Sequence, residues 1–377
     1  MSKKDSVMLP FASWSMETAA WLLLWTLLPT QASTAALPSS IMHKFFGVER
    51  AVDVANFPNE TELAQLEENL SSGEHGWFDS VSEGAKLHYR KFVPAKPKAV
   101  LVYMHGIATH AGKGAKVNGR KLNLALISDV CLKEGIALYA FDLYGHGFSE
   151  GTRVYVPSYL ENMKDYVNFC HMAAKEHPNV PLVLMGESYG CCLTQLVARQ
   201  FQDDPASGPS TFDSIILTAP AFDVDLPPYP VYLLLRYGFA PMAPKWRPFF
   251  MPNPISADRI WRDKDVLKVM TSDLYRKIDG SGIPLRLGTA VNVVVAVKEC
   301  YNKAIPGFKV PYCIIHGTND YGVRIEGSDY MWKTAVIEDR AFHRKEGAYH
   351  DLFADPTAEE NMQHVVDWVK SRLNKSK

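Results

Sequence analysis

The chain has 377 residues, of which 47% are apolar and 21% charged, and its formal net charge is −1. That balance is globular; it excludes a disordered chain and offers no basic surplus to attract nucleic acid. Six cysteines over this length are too few for a disulfide framework and read as buried thiols.

Residues 1–40 differ from the rest. Lys3 and Lys4 precede a ten-residue apolar run, 19–28, followed by Pro29 and the small residues Ala32, Ser33 and Ala35. A bilayer crossing needs roughly 20 apolar residues, so the run is too short to span. It fits the apolar region of a targeting segment, with cleavage near Ala32 or Ala35. A secretory, endomembrane or organelle destination is therefore expected, with a cytoplasmic membrane-associated location as the alternative. Residues 41–75 read as a helical extension, because Asn59 and Glu62 form a capping box for a helix reaching Leu70. Glycosylation triplets at Asn59, Asn69 and Asn374 are near the frequency expected by chance.

From residue 76 to the end, strands and helices alternate. Residues 77–94 read as two strands around Ser82-Glu83-Gly84. Residues 99–104, 136–142, 182–185, 214–219 and 311–316 are short apolar runs, the pattern of strands buried on both faces. Helical period fills 120–134. Ser158 with Glu161, and Thr357 with Glu360, cap helices to about 177 and 373; another helix spans 189–203. Strands alternating with helices imply a mainly parallel central sheet with helices on both faces. Residues from about 223 to 305 break the alternation with proline and aromatics, and read as a cap inserted over one end of the sheet.

Gly186-Glu187-Ser188-Tyr189-Gly190 follows a predicted strand and opens a predicted helix. That is the context of a nucleophile elbow, whose glycines make room for a tight strand-to-helix turn. It predicts the α/β-hydrolase fold, with Ser188 as nucleophile. In this fold the acid and the histidine follow the serine in that order. Asp320, just past the strand YCIIHG, and His350, in the loop EGAYHD, supply them. Asp351 is a rival acid, set aside because immediate neighbours rarely aim their side chains at one another. The backbone N–H groups of Ile107 and Tyr189 are the expected oxyanion donors, with Gly106 allowing close approach. Gly112-Lys113-Gly114 lacks the Ser or Thr of a phosphate loop, and Glu150 stands where a dinucleotide motif needs its third glycine. No His, Cys or Asp cluster has metal spacing, and no cofactor is expected.

Several blocks together resemble the monoglyceride lipase and lysophospholipase-like family, whose hydrolase domain is of the serine aminopeptidase S33 type. They are His105-Gly106 with His110, FDLYGHGFSEG over 141–151, GESYG around Ser188, HGTND ending at Asp320, and EGAYH ending at His350. The resemblance covers about 77–373. It implies the same triad and the same two oxyanion donors, and a single-chain lipid ester as substrate. Monoacylglycerol and lysophospholipid both fit. The chain departs from the family at Thr109 and Lys113, where relatives carry Glu and Arg, at Phe353, where they carry a histidine, and at Cys191, where many have glycine. With Lys116, Arg120 and Lys121 nearby, Lys113 leads to the expectation of a site mouth tolerant of phosphate.

The expected reaction is ester hydrolysis through an acyl-enzyme. Acyl transfer to an alcohol is an alternative, because His350 and Asp355 form H-x-x-x-x-D. A non-catalytic ligand-binding protein on the same fold is another. The aromatic cap is expected to make peripheral membrane contact.

Overall fold

The computed structural model describes residues 60–248, 256–279 and 284–373. The targeting segment expected at 1–40, Asn59 of the expected capping box, and the triplets at Asn59 and Asn374 lie outside them. Helix α1 (Glu60–Glu67) comes first and ends before Leu70.

Ten strands follow: β1 (Glu74–Asp79), β2 (Lys86–Phe92), β3 (Ala99–Met104), β4 (Gly114–Val117), β5 (Arg120–Asn123), β6 (Ile136–Phe141), β7 (Leu182–Glu187), β8 (Phe212–Thr218), β9 (Tyr312–Gly317) and β10 (Arg340–Lys345). Eight form one sheet in the order β1-β2-β6-β3-β7-β8-β9-β10. The β1–β2 and β2–β6 pairs are antiparallel; all others are parallel. Every residue of β3, β6 and β9 is buried, as their unbroken apolar runs require. Because β3, β7, β8, β9 and β10 run parallel, the loops that follow them leave the sheet at one edge.

Between the strands lie α2 (Leu124–Glu134), α3 (Tyr159–Glu176) and α4 (Tyr189–Asp203). Ser158 caps α3 through its hydroxyl, which accepts from Leu160 N at 3.2 Å. Its expected partner Glu161 instead accepts from Ser82 Oγ. The helix expected over 120–134 begins only at Leu124. Residues 120–123 are β5, paired with β4 across a two-residue turn at Asn118 and Gly119, both at positive φ. Asn-Gly between extended segments is the sequence signature of such a hairpin.

The long excursion between β8 and β9 is helical. It contains α5 (Tyr229–Leu233), continuing through a wide-turned segment (Leu234–Phe239) to Met242, then α6 (Lys264–Met270), α7 (Asp273–Asp279) and α8 (Leu287–Glu299). Helices α9 (Ile325–Thr334) and α10 (Ala358–Leu373) complete the chain. Packing divides into two cores. The larger surrounds the sheet and includes Ala296, Val297 and Cys300 at the end of α8. The smaller joins Leu66 of α1, Ala115, Val117 and Leu122 of the hairpin, and Trp261, Val266, Met270, Tyr275 and Ile278 of the cap. All six cysteines are free and buried. Among the described residues, no helix is long and apolar enough to cross a membrane.

Candidate active site

Ser188 stands between β7 and α4 with φ 55° and ψ −119°, a backbone conformation that non-glycine residues rarely adopt. Neighbouring contacts hold it there. Its N–H donates to Thr218 O at 3.0 Å, and its carbonyl accepts from Cys191 N and Ala221 N. Two glycines are sterically required. A Cβ on Gly190 would lie 2.3 Å from Met104 O, and one on Gly186 would lie 2.6 Å from Gly190 O. Gly106, in the loop after β3, packs directly on the nucleophile position, its built Cβ being 3.1 Å from Ser188 Cβ.

The loop after β3 is pinned from below. His105 Nε2 accepts from Leu143 N at 3.0 Å, and burial pushes this imidazole down to about 4, so it is a neutral acceptor. Asp142 Oδ1 accepts from Ala111 N at 2.7 Å. Ile107 follows, and its N–H has no partner among the described backbone hydrogen bonds. The Tyr189 N–H is the first of α4 and has no carbonyl within its own helix to bond.

Asp320 and His350 meet at the same sheet edge. Asp320 Oδ2 is 2.7 Å from His350 Nδ1, while Oδ1 accepts from Gly322 N and Val323 N at 2.7 and 3.0 Å. His316 Nε2 lies 3.2 Å from the same carboxylate. Burial alone would raise the Asp320 carboxyl. The His350 charge and contacts with His316 and His350 outweigh it and hold Asp320 well below the usual carboxylate range. Burial would likewise lower His350, but the Asp320 charge and hydrogen bond, reinforced by Glu187 and Asp351, raise it to about 8. Ser188 Oγ makes no hydrogen bond to either residue within the described set. The geometry therefore joins the histidine and the acid, and sets the serine at the same sheet edge on the turn after β7, with β8 between.

Other expected features resolve differently. Asp351 turns inward, but to Trp261 Nε1 at 2.7 Å and Asn123 Nδ2 at 2.9 Å rather than to His350. Asp355 of H-x-x-x-x-D is held by Arg262 through two 2.7 Å bonds and accepts from Thr357 N. The basic residues after β3 do not form a free cluster. Lys113 is buried beside Asp279 at 3.6 Å, Arg120 pairs with Asp263 at 2.7 Å, and Lys121 pairs with Asp129 at 2.5 Å. Gly112 is there for packing, since a Cβ would meet Arg90 Nε at 2.6 Å. Two acids escaped the sequence reading. Glu187, inside the elbow itself, accepts from the Tyr103 hydroxyl. Asp279 bonds His110 Nδ1 at 2.5 Å across 169 residues of sequence, a separation that no local pattern marks.

Among the described residues, no group of three His, Cys, Asp or Glu could hold a metal ion. A mainly parallel sheet of this strand order, with a strained serine opening the helix after β7 and a His–Asp pair on the loops after β9 and β10, defines an α/β-hydrolase. The family described as serine aminopeptidase, S33, matches residues 95–357, and the chain belongs to it and so to the serine hydrolases. The chain is 24% identical over 291 residues to the monoacylglycerol lipase of Mycolicibacterium smegmatis, covering 77% of this chain and 95% of that protein. It is 26% identical over 300 residues to the monoglyceride lipase of Rattus norvegicus, covering 78% and 89%. The crystal structure of Paleococcus ferrophilus monoacylglycerol lipase shares the fold at a TM-score of 0.59 and 22% identity, covering 76% of this chain and 98% of that one.

Proposed function

We propose that the protein hydrolyses the carboxylic ester of a single-chain lipid through an acyl-enzyme on Ser188, with a monoacylglycerol as the preferred substrate. The observation that carries this is the buried 2.7 Å His350–Asp320 hydrogen bond at the sheet edge where Ser188 is held in a strained turn. His350 takes the proton of Ser188 as the hydroxyl attacks the ester carbonyl. Asp320 bonds Nδ1, fixes the tautomer that leaves Nε2 free to act as base, and stabilises the imidazolium that follows. The developing oxyanion lies between the N–H groups of Ile107 and Tyr189, the second being favoured by its place at a helix N-terminus. His350 then protonates the leaving alkoxide and activates water against the acyl-enzyme.

Pairing of three of the four basic residues of this stretch supports an uncharged head group over a phosphate-bearing one. Lys113, Arg120 and Lys121 each face a carboxylate. Engagement of Asp355 by Arg262 and Thr357 supports hydrolysis over acyl transfer, since the H-x-x-x-x-D spacing then has a structural explanation. The relatives named as monoacylglycerol lipases point the same way. The decisive measurement is kcat/KM for a monoacylglycerol, a lysophosphatidylcholine and a short-chain ester of matched acyl linkage. A preference for monoacylglycerol is expected. Higher kcat/KM on the lysophospholipid would overturn the head-group assignment, and no turnover of any ester would overturn the reaction.

A further inference from the structure

Beside the acid–base pair lies a second buried carboxylate with a built set of partners. Asp351 follows His350 directly and is 5% exposed. Its Oδ2 accepts from Trp261 Nε1 at 2.7 Å, and its two oxygens share Asn123 Nδ2 at 2.9 and 3.1 Å. Its own N–H reaches Ile260 O at 3.4 Å. Asn123 also holds this loop through its backbone, since its N–H donates to Phe353 O at 2.9 Å. It does so from a backbone at φ 51° and ψ −131°, nearly that of Ser188, and its Oδ1 is buried without a partner. A strained residue with an unsatisfied atom persists where the surroundings demand it, and such positions cluster at functional sites.

The cap completes the arrangement. Trp261 carries Lys113 Nζ 4.9 Å above its ring, and Arg262 binds Asp355 twice at 2.7 Å and Gly347 O at 3.2 Å. Residues 260–262 of the cap thus hold the histidine loop on both sides of His350. We propose that Asp351, clamped between Trp261 of the cap and Asn123 of the hydrolase core, is a positioning residue that holds the His350 imidazole in its working orientation and ties the placement of the cap to the base. The clamp acts on the mechanism proposed above and has no role without it.

Charge distinguishes this from simple packing. The charged groups facing His350 are Asp320 after β9, Glu187 at the end of β7 and Asp351 in its own loop, with His316 of β9 behind Asp320. Lys113, from the loop after β3, opposes Glu187 and Asp351. Removing the Asp351 charge lowers the pH at which His350 becomes neutral. Asp351→Asn is a mild test, because Asn123 can flip its amide and present the idle Oδ1 to the new NH2.

The experiment measures kcat and KM for a p-nitrophenyl ester of a short acyl chain against pH, with fluorophosphonate labelling and thermal melting. The proteins are wild type, Asp351→Asn, Asp351→Ala, Trp261→Phe and Asn123→Gly. Asp351→Ala is expected to lose about 10²-fold in kcat, the cost of a misplacement of about 1 Å, with KM little changed. Trp261→Phe should lose part of that. Asp351→Asn should move the acidic limb of kcat/KM to lower pH. Asn123→Gly suits the positive φ, so it should stay folded and still lose kcat. Wild-type kcat in Asn123→Gly together with an unmoved limb in Asp351→Asn would overturn the clamp even if Asp351→Ala fails to fold. A wild type that neither turns over the ester nor reacts with the fluorophosphonate would overturn the functional reading itself, and the clamp with it.

Discussion

Ser188 combines strain with access: it is only partly buried, although Tyr189 and Gly190 beside it are buried. Ser188→Ala should leave the melting temperature near wild type and remove turnover, a loss on the order of 10⁶ in kcat for a triad serine. Asp320→Asn should lose about 10⁴, because reversing the tautomer leaves the base facing the wrong way; steady-state kinetics on a soluble ester checks both. The pH profile follows from His350. In the proposed mechanism its neutral form is the base, and the Asp320 carboxylate raises its folded value to about 8. Activity in kcat/KM should therefore climb through about pH 8. Stability linkage has the opposite sign. A raised histidine contributes stability that is present below its ordinary value of 6.5 and is lost as pH rises through about 8. The elbow turn at Ser188 and the Asp320–His350 pair were each legible as residues, because G-x-S-x-G and the order Ser, Asp, His are local or ordinal signals; their roles as nucleophile, acid and base remain those proposed above. The partners of Asp351 were not legible, because adjacency to His350 in sequence says nothing about Trp261 and Asn123, which come from distant segments.

Elements were legible wherever burial imposes a pattern. Strand β3 matches its apolar run residue for residue, and β6, β7, β8 and β9 differ only at their ends. Strand β5 was absorbed into an apparent helical period over 120–134, although Asn118-Gly119 marks the hairpin. A four-residue strand is too short to compete with the period of the helix that follows. The elbow turn yields a prediction at this scale. Gly190→Ala would push a methyl group toward Met104 O and His105 O, which are backbone atoms and cannot swing aside. It should destabilise the fold by about 1–3 kcal/mol, the usual cost of overpacking, read as a lower midpoint in urea. An unchanged midpoint would mean that β3 and α4 are not seated as tightly as the structure has them.

At the scale of the whole molecule the cap carries the least sequence pattern and a run of exposed apolar side chains. Leu226, Tyr229, Leu234, Tyr237 and Met242 are exposed, and four of them fall within a stretch of fourteen residues, 229–242. Such aromatic and aliphatic surface suits a lipid interface. Leu234→Asp with Tyr237→Asp should reduce co-flotation with phosphatidylcholine vesicles and spare turnover of a soluble ester; undiminished flotation would remove this face as the contact. The smaller core sets how such a cap can move. Helices α6 and α7 share Leu66, Val117 and Trp261 with α1 and the hairpin, and Lys277 binds Glu62 at 2.5 Å. Residues 229–242 have only Tyr232 and Ala240 buried. The cap is thus sewn down at two seams, α6–α7 with α1 as one of the stitches and the end of α8 against the sheet core, and 229–242 is its most loosely held stretch. Amide exchange should be slow in α6 and α7 and fast over 229–242. Trimming residues 1–35 should leave that contrast intact, whereas trimming through residue 73 should unpick the seam and bring α6 and α7 up to the faster rate.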